Sequence, residues 1–205
     1  DENEYNAAIF LDVGADGRPR VGVYRKSFLF PLTERVPAWL DFAFVRRFMP
    51  WLGSWTPGQG ARVETLQLRD GRSVRAAPLI CFDAVDPGLS IDAVRAGAEV
   101  LVTLSNDSWF AVGNGPMLHL VVSVFRSLET RRPQLRVTNT GISSVITPTG
   151  EMIASAGIHE RTALTASVTP VADRWTLMLA WGNWFGPAAL VGALGLLLSA
   201  VVRSR

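Results

Sequence analysis

This sequence predicts an α/β fold, a sheet layered against helices, followed by one membrane-spanning helix. Three observations carry that prediction. Short apolar stretches with a period of two recur between residues 5 and 168, punctuated by Gly-containing turns. Helical apolar spacing is interleaved with them. Nineteen residues without a charge then run from Trp184 to Val202. The chain has 205 residues, enough for one sizeable domain with its own core. Hydrophobic residues make up 48% and charged residues 19%, which excludes a disordered chain. The net charge is only +2 and its Arg residues are scattered, so nucleic acid is not an expected partner.

The elements follow in order. Tyr5–Val13 and Val21–Tyr24 read as a hairpin around the turn Ala15-Asp-Gly-Arg18. Val63–Leu68 and Ser73–Ile80 read as a second hairpin, turned at Asp70-Gly71. Ile91–Gly97 has the spacing of a short helix, and Glu99–Leu104 that of a buried strand. Met117–Thr130 is helical by its apolar spacing and is ended by Arg131-Arg132-Pro133. Leu135–Thr138, Ile142–Thr147, Glu151–Ala154 and Ala163–Val168 read as further strands, with a turn at Pro148-Thr-Gly150.

Two stretches point to a membrane. Trp184–Val202 has the length of a spanning helix, and Trp175, Trp181 and Trp184 stand where an aromatic belt would lie. Arg203 and Arg205 after the span place the C-terminus in the cytoplasm and the preceding residues on the far side. The domain boundaries implied are 1–172 for the catalytic domain, 173–183 for an interfacial linker, 184–202 for the span and 203–205 for a tail. Pro37–Trp55 carries three Trp and three Phe with Arg46 and Arg47 between them. It reads either as an amphipathic core helix or as an arm dipping into the headgroup zone.

Two residues are singletons. Nineteen of the twenty basic residues are Arg, and the exception is Lys26; Cys81 is the only cysteine. One Cys excludes an internal disulfide, a Cys-rich zinc site and a CxxC redox pair, and with His119 and His159 as the only histidines no metal or other cofactor is expected. Cys81 closes the strand-like run Ala76–Ile80, where a thiol can meet substrate while the N–H groups after it bind an oxyanion. It can equally be a small core residue. Lys26 also ends a strand, where an ammonium beside a thiol would favour the thiolate and stabilise charge on an attacked carbonyl. It can equally be a surface lysine. Glu34, eight residues on, is placed to pair with it or to lie solvated in a loop.

The motifs around these residues carry a resemblance. Tyr24-Arg-Lys26-x4-Pro31-x2-Glu34-x-Val-Pro37, Ile80-Cys81-Phe82-Asp83 and Ser105-Asn-Asp-Ser-Trp-Phe110 resemble the nitrilase superfamily, and within it the apolipoprotein N-acyltransferases of the bacterial inner membrane. Arg126-Ser-Leu-Glu129-Thr-Arg-Arg-Pro133, Arg136-x-Thr-Asn139-Thr-Gly141-Ile142 and Gly182-Asn-Trp184 extend it over nearly the whole chain. The resemblance implies an α-β-β-α sandwich and a Glu–Lys–Cys triad, with Cys81 as nucleophile, Lys26 as triad lysine and Glu34 as a supporting acid. It gives the N–H of Phe82 a share of the oxyanion and puts Asp83, Asn106 and Trp109 among the substrate-binding positions. Two departures accompany it. Phe82-Asp83 stand where the family usually has Tyr-Glu. The general-base Glu should end an earlier strand, and neither Glu2 nor Glu4 sits in that context, so the sandwich and the triad are expected to be incomplete at the N-terminus and residues 1–205 alone inactive.

The function implied is transfer of a fatty acyl chain from a phospholipid to the N-terminal amine of a diacylglyceryl-modified apolipoprotein, through a thioester on Cys81. The site would face the periplasm. A membrane-tethered amidase with water as acceptor, and a catalytically inactive remnant that binds lipid or a partner, are the competing readings.

Overall fold

The computed structural model describes residues 3–13, 17–110 and 113–203. Strands β1 (Ala7–Val13) and β2 (Pro19–Arg25) pair antiparallel as a sheet of their own, with Ala8 opposite Tyr24 and Ile9 opposite Val23. Part of the turn expected between them, residues 14–16, lies outside the described residues, as does Glu2. After the six-residue helix α1 (Ala43–Phe48) come β3 (Glu64–Gln67), β4 (Ser73–Ile80), a 3-10 turn over Cys81–Val85 and α2 (Pro87–Arg95). Then follow β5 (Val100–Ser105), α3 (Gly115–Thr130), β6 (Gln134–Thr138), β7 (Ser143–Ile146) and β8 (Met152–Ala156). The chain ends in α4 (Leu177–Trp181) and α5 (Phe185–Arg203).

Strands β3 to β8 form one six-stranded sheet in sequence order, with β4, β5 and β6 parallel and the rest antiparallel. The two parallel connections run through α2 and α3, as parallel neighbours require. Alternation along β4 sorts its side chains. Ala77 and Leu79 face α2, where they are buried with Leu89, Ala93, Val94, Ala98 and Leu101. Ile80 faces the other way, onto Ala8 and Tyr24 of the hairpin. Each leucine so buried contributes about 2 kcal/mol. The layers are thus helix, sheet and hairpin sheet. The outer face of the hairpin, with Ile9, Leu11, Val13, Val21 and Val23, is exposed.

Three expectations need correction. Helix α2 begins at Pro87 rather than Ile91, because Asp86 caps it by accepting the Gly88 N–H at 2.9 Å and proline suits the first turn. Ala163–Val168 forms no strand: its alternation is right, but the segment is largely exposed and finds no ladder. Pro37–Trp55 is not one core helix. Only Ala43–Phe48 is helical, and Trp39, Phe48 and Trp51 are exposed by 75%, 75% and 71%. Pro37 and Pro50 bracket the helix, since neither suits a helix interior.

The segment before α5 is bolted to the domain. The buried Arg132 guanidinium donates to the carbonyls of Ala98, Ala172 and Arg174, and Arg95 donates to those of Leu179 and Ala180. Thr176 caps α4 through its Oγ1, which accepts from the Leu179 N–H and donates to the Glu129 carbonyl. Helix α5 itself buries nothing and is long and apolar enough to cross a membrane.

Candidate active site

The parity of β2 that buries Tyr24 against the large sheet also turns Lys26, two residues on, inward. Lys26 is fully buried, and its Nζ lies 2.7 and 2.6 Å from the two oxygens of Glu34. Its backbone is pinned on both sides: its N–H donates to Asn6, and its carbonyl accepts from Gly58. Glu34 Oε2 also accepts the Phe30 N–H at 2.7 Å, so the loop after β2 curls around the ammonium. A bare buried ammonium would be prohibitive; this one is paired on both lone-pair edges of a carboxylate.

Cys81 sits where β4 stops and the 3-10 turn starts, with φ at +49°, in the left-handed region that side chains with a Cβ avoid. It is half-buried and lies at the junction of two lobes of a cleft that also share Glu34, Asn106 and Trp109. One lobe, about 460 Å³, is walled by Phe30, Phe82, Val85, Phe110, Leu118 and Val122. The other, about 500 Å³, is lined in part by Asn6, Ser105, Thr138 and Asn139. The Phe82 ring stacks on Phe28 at 5.3 Å and meets Phe30 edge-on at 4.7 Å, which stiffens the apolar wall.

The remaining predicted residues divide. Asn106 lines both lobes, and its Oδ1 accepts from the Asn139 amide at 2.6 Å. Trp109 lines both lobes and is 70% exposed. Asp83 does not line the cleft. It is fully buried and its two oxygens accept from the Tyr24 hydroxyl (2.8 Å) and from the N–H groups of Ile80 (2.9 Å), Phe28 (2.7 Å) and Ser27 (3.1 Å). It thereby ties the turn that carries Cys81 to the strand end that carries Lys26. Burial pushes the Asp83 carboxyl above its ordinary range, against the pull of the N–H groups of Phe28 and Ile80, the Tyr24 hydroxyl and the Lys26 charge. Burial, with the Asp83 charge, also pushes the Tyr24 phenol up, so it stays a donor. Glu4 is exposed, and Glu34 is the one carboxylate among the described residues lining either lobe.

A second buried network lies on the opposite side of Cys81. Asp107, in the loop after β5, accepts from the Ser105 hydroxyl (2.6 Å) and from Arg136 (2.9 Å) and lies 3.0 Å from His119 Nδ1. Arg136 also donates to Ser123 Oγ and the Ile142 carbonyl. Burial pushes the Asp107 carboxyl up, but these hydrogen bonds and the Arg136 charge outweigh it and hold the group below its ordinary value. Sequence reasoning gave none of the three a role in the site, although Asp107 and Arg136 stand inside motifs that carry the resemblance. The available signal was His119, one of only two histidines, four residues into a helix that follows Asp107.

Residues 1–175 match the profile of the carbon-nitrogen hydrolase family. The chain is 35% identical, over 98% of its length, to an apolipoprotein N-acyltransferase of Chlorobaculum tepidum, and covers 38% of that protein. It is 29% identical, over 90% of its length, to one of Bdellovibrio bacteriovorus, covering 33%. It therefore spans little more than a third of these relatives. Among solved structures, a carbon-nitrogen hydrolase from Helicobacter pylori superposes with a TM-score of 0.53 at 19% identity, over 77% of this chain and 54% of that one, a likeness of fold. With its profile match running from the first strand to the segment before α4, and a cysteine at the end of β4 that shares its cleft with Glu34, the partner of the buried Lys26, the chain belongs to the carbon-nitrogen hydrolase family of the nitrilase superfamily.

Proposed function

We propose that this chain is the catalytic part of a membrane N-acyltransferase that moves a fatty acyl group from a phospholipid to the N-terminal amine of an apolipoprotein. The observation that carries the reading is the setting of Cys81, which lines an apolar lobe of about 460 Å³ together with Glu34, the partner of the buried Lys26. The likeness to apolipoprotein N-acyltransferases over most of the chain supports it. The Cys81 thiolate attacks the ester carbonyl, a C–S bond forms, and the oxyanion is held by the Lys26 ammonium and the Phe82 N–H. Each such donor is worth roughly 3 kcal/mol in the transition state. Collapse breaks the ester C–O bond, and the lysophospholipid leaves with the proton. The acceptor amine then attacks the thioester, forming the amide C–N bond and releasing the thiol.

Glu34 orients Lys26, and Asn106 and Trp109 border the acyl pocket. We assign the base that takes the Cys81 proton to a glutamate outside residues 1–205, as the resemblance implies. The exposed aromatic arm at 37–55 lies in the headgroup zone and α5 spans the bacterial inner membrane, with the domain on the periplasmic side and the C-terminus in the cytoplasm.

The test uses the full-length protein with phospholipid labelled in its acyl chain. Label on Cys81, labile to hydroxylamine and absent from Lys26→Arg, is the expected result. A planar guanidinium does not replace a compact ammonium in so tight a site. No label on the wild-type protein refutes the acyltransferase reading, and label passing to water faster than to an amine acceptor would make the protein a hydrolase rather than a transferase.

A further inference from the structure

His119 is buried on α3 and stands in the wall of the cleft. Its Nε2 lies 3.2 Å from the backbone carbonyl oxygen of Cys81. Both of the ring's partners only accept, the Cys81 carbonyl at Nε2 and the Asp107 carboxylate at Nδ1, so making both hydrogen bonds puts a hydrogen on each ring nitrogen, and Nε2 donates to Cys81. The other ring nitrogen lies 3.0 Å from Asp107, which is held by Ser105 and by the fully buried Arg136. Gly141 packs against the same carboxylate so closely that a Cβ there would stand 2.1 Å from Asp107 Oδ2. The ring is therefore fixed from behind, while Phe110 packs edge-on to it at 5.8 Å.

The carbonyl that His119 grips belongs to the same peptide unit as the N–H of Phe82. In a planar trans peptide those two bonds point in opposite directions. Pulling the Cys81 oxygen toward α3 turns the Phe82 N–H the other way, away from the α3 wall of the cleft. A donor on the carbonyl also polarises the amide, which strengthens its N–H as a donor. With Cys81 at φ +49°, the peptide plane is one that the local backbone does not prefer, so something must hold it.

We infer that His119 is a positioning residue for the oxyanion site: it sets and polarises the Cys81–Phe82 peptide so that the Phe82 N–H meets the developing oxyanion. The inference rests on Cys81 being an acyl-accepting nucleophile, as proposed above, but not on the identity of the acyl donor.

The experiment compares two reactions of Cys81, located by peptide mapping, in full-length protein. Acylation by a p-nitrophenyl ester passes through an oxyanion: the sulfur bonds to the acyl carbon, and nitrophenolate leaves with the C–O electron pair. Alkylation by iodoacetamide passes through none. His119→Leu should slow acylation about 30-fold, as for a weakened oxyanion donor, and change alkylation less than threefold. His119→Gln, whose side-chain amide can reach the same carbonyl, should recover most of the acylation rate. Acylation of His119→Leu within threefold of wild type overturns the inference, as does an equal fall in both reactions that the Gln variant does not repair. Wild-type protein that takes the activated ester but no phospholipid would refute the proposed substrate and leave His119's role standing; failure with both would overturn both.

Discussion

Asp83→Asn discriminates between a residue that contacts substrate and one that holds the site together. The carboxylate accepts four hydrogen bonds, two on each oxygen: Tyr24 Oη and Ile80 N–H on one, Ser27 and Phe28 N–H on the other. An asparagine amide keeps one acceptor oxygen and must turn its NH2 toward one of the two donor pairs. The less costly choice faces Tyr24 and Ile80, because the hydroxyl can rotate to accept whereas the Ile80 N–H cannot. One buried N–H is then left without a partner at about 2 kcal/mol, and the remaining bonds lose their charge assistance at about 1 kcal/mol more. Against this, the neutral amide escapes the burial penalty that raises the Asp83 carboxyl, an offset of about 1 kcal/mol. The net loss of about 2 kcal/mol corresponds to a fall in Tm of about 4–8 °C for a chain of this size. Thermal unfolding of the intact protein in detergent micelles, followed by tryptophan fluorescence, measures it. Iodoacetamide reactivity of Cys81 reports locally on the loosened turn. A variant that melts within about 1 °C of wild type but loses turnover would refute the reasoning and return Asp83 to a substrate-binding role.

Two further expectations follow from the arm and from Asp107. Replacing Trp39 and Trp51 with serine should lower acylation by phospholipid in vesicles about tenfold and leave acylation by a soluble nitrophenyl ester unchanged, since both indoles are exposed and outside the cleft; equal effects on the two donors would mean that the arm shapes the site rather than the membrane contact. Asp107 is held below its ordinary value of 3.8, so its contribution to stability is fully present above that pH and is lost as pH falls through the still lower folded value. Asp107→Asn leaves Arg136 unpaired at a cost of about 3 kcal/mol near neutrality, and the Tm gap to wild type should narrow below about pH 4. A gap that stays constant from neutrality to pH 3 would contradict the assignment.

What could be read from the sequence was the local part. Strand β4 falls on Ser73–Ile80 as expected, because an Asp-Gly turn with Gly71 at φ +84° opens it and the apolar run ends at Cys81. Lys26 and Glu34 lie eight residues apart, a spacing that allowed the pair without deciding it against a solvated acid. Asp83 was misjudged because adjacency to the nucleophile says nothing about direction: in a 3-10 turn, the second residue after Cys81 points back under the strand. Asp107, His119 and Arg136 were illegible for a different reason. They meet only because β5 and β6 pair in parallel with α3 crossing between them, a contact that no local pattern encodes. Ala163–Val168 has the alternation of a strand and lacks only a neighbour, which is likewise a tertiary fact.

The two networks, Asp83 and His119 with Asp107, grip the turn at Cys81 from two directions, and the left-handed residue between them explains the need. A Cβ at φ +49° costs about 1–2 kcal/mol. The hydrogen bonds from the Ile80 N–H to Asp83 and from His119 to the Cys81 carbonyl, at about 1 kcal/mol each, offset it. In the proposed mechanism this reversal lets the thiol and the following N–H face one cleft. Comparing Cys81→Gly with Cys81→Ala isolates the strain, since neither variant has a thiol. In an ordinary strand or helix the glycine variant would be less stable, by about 0.5–1 kcal/mol. Here the sign should invert: glycine loses the Cβ penalty, and its Tm should lie about 2 °C above that of the alanine variant. A glycine variant that melts below the alanine one would mean that Cys81 is unstrained and that the two clamps hold nothing that would otherwise relax.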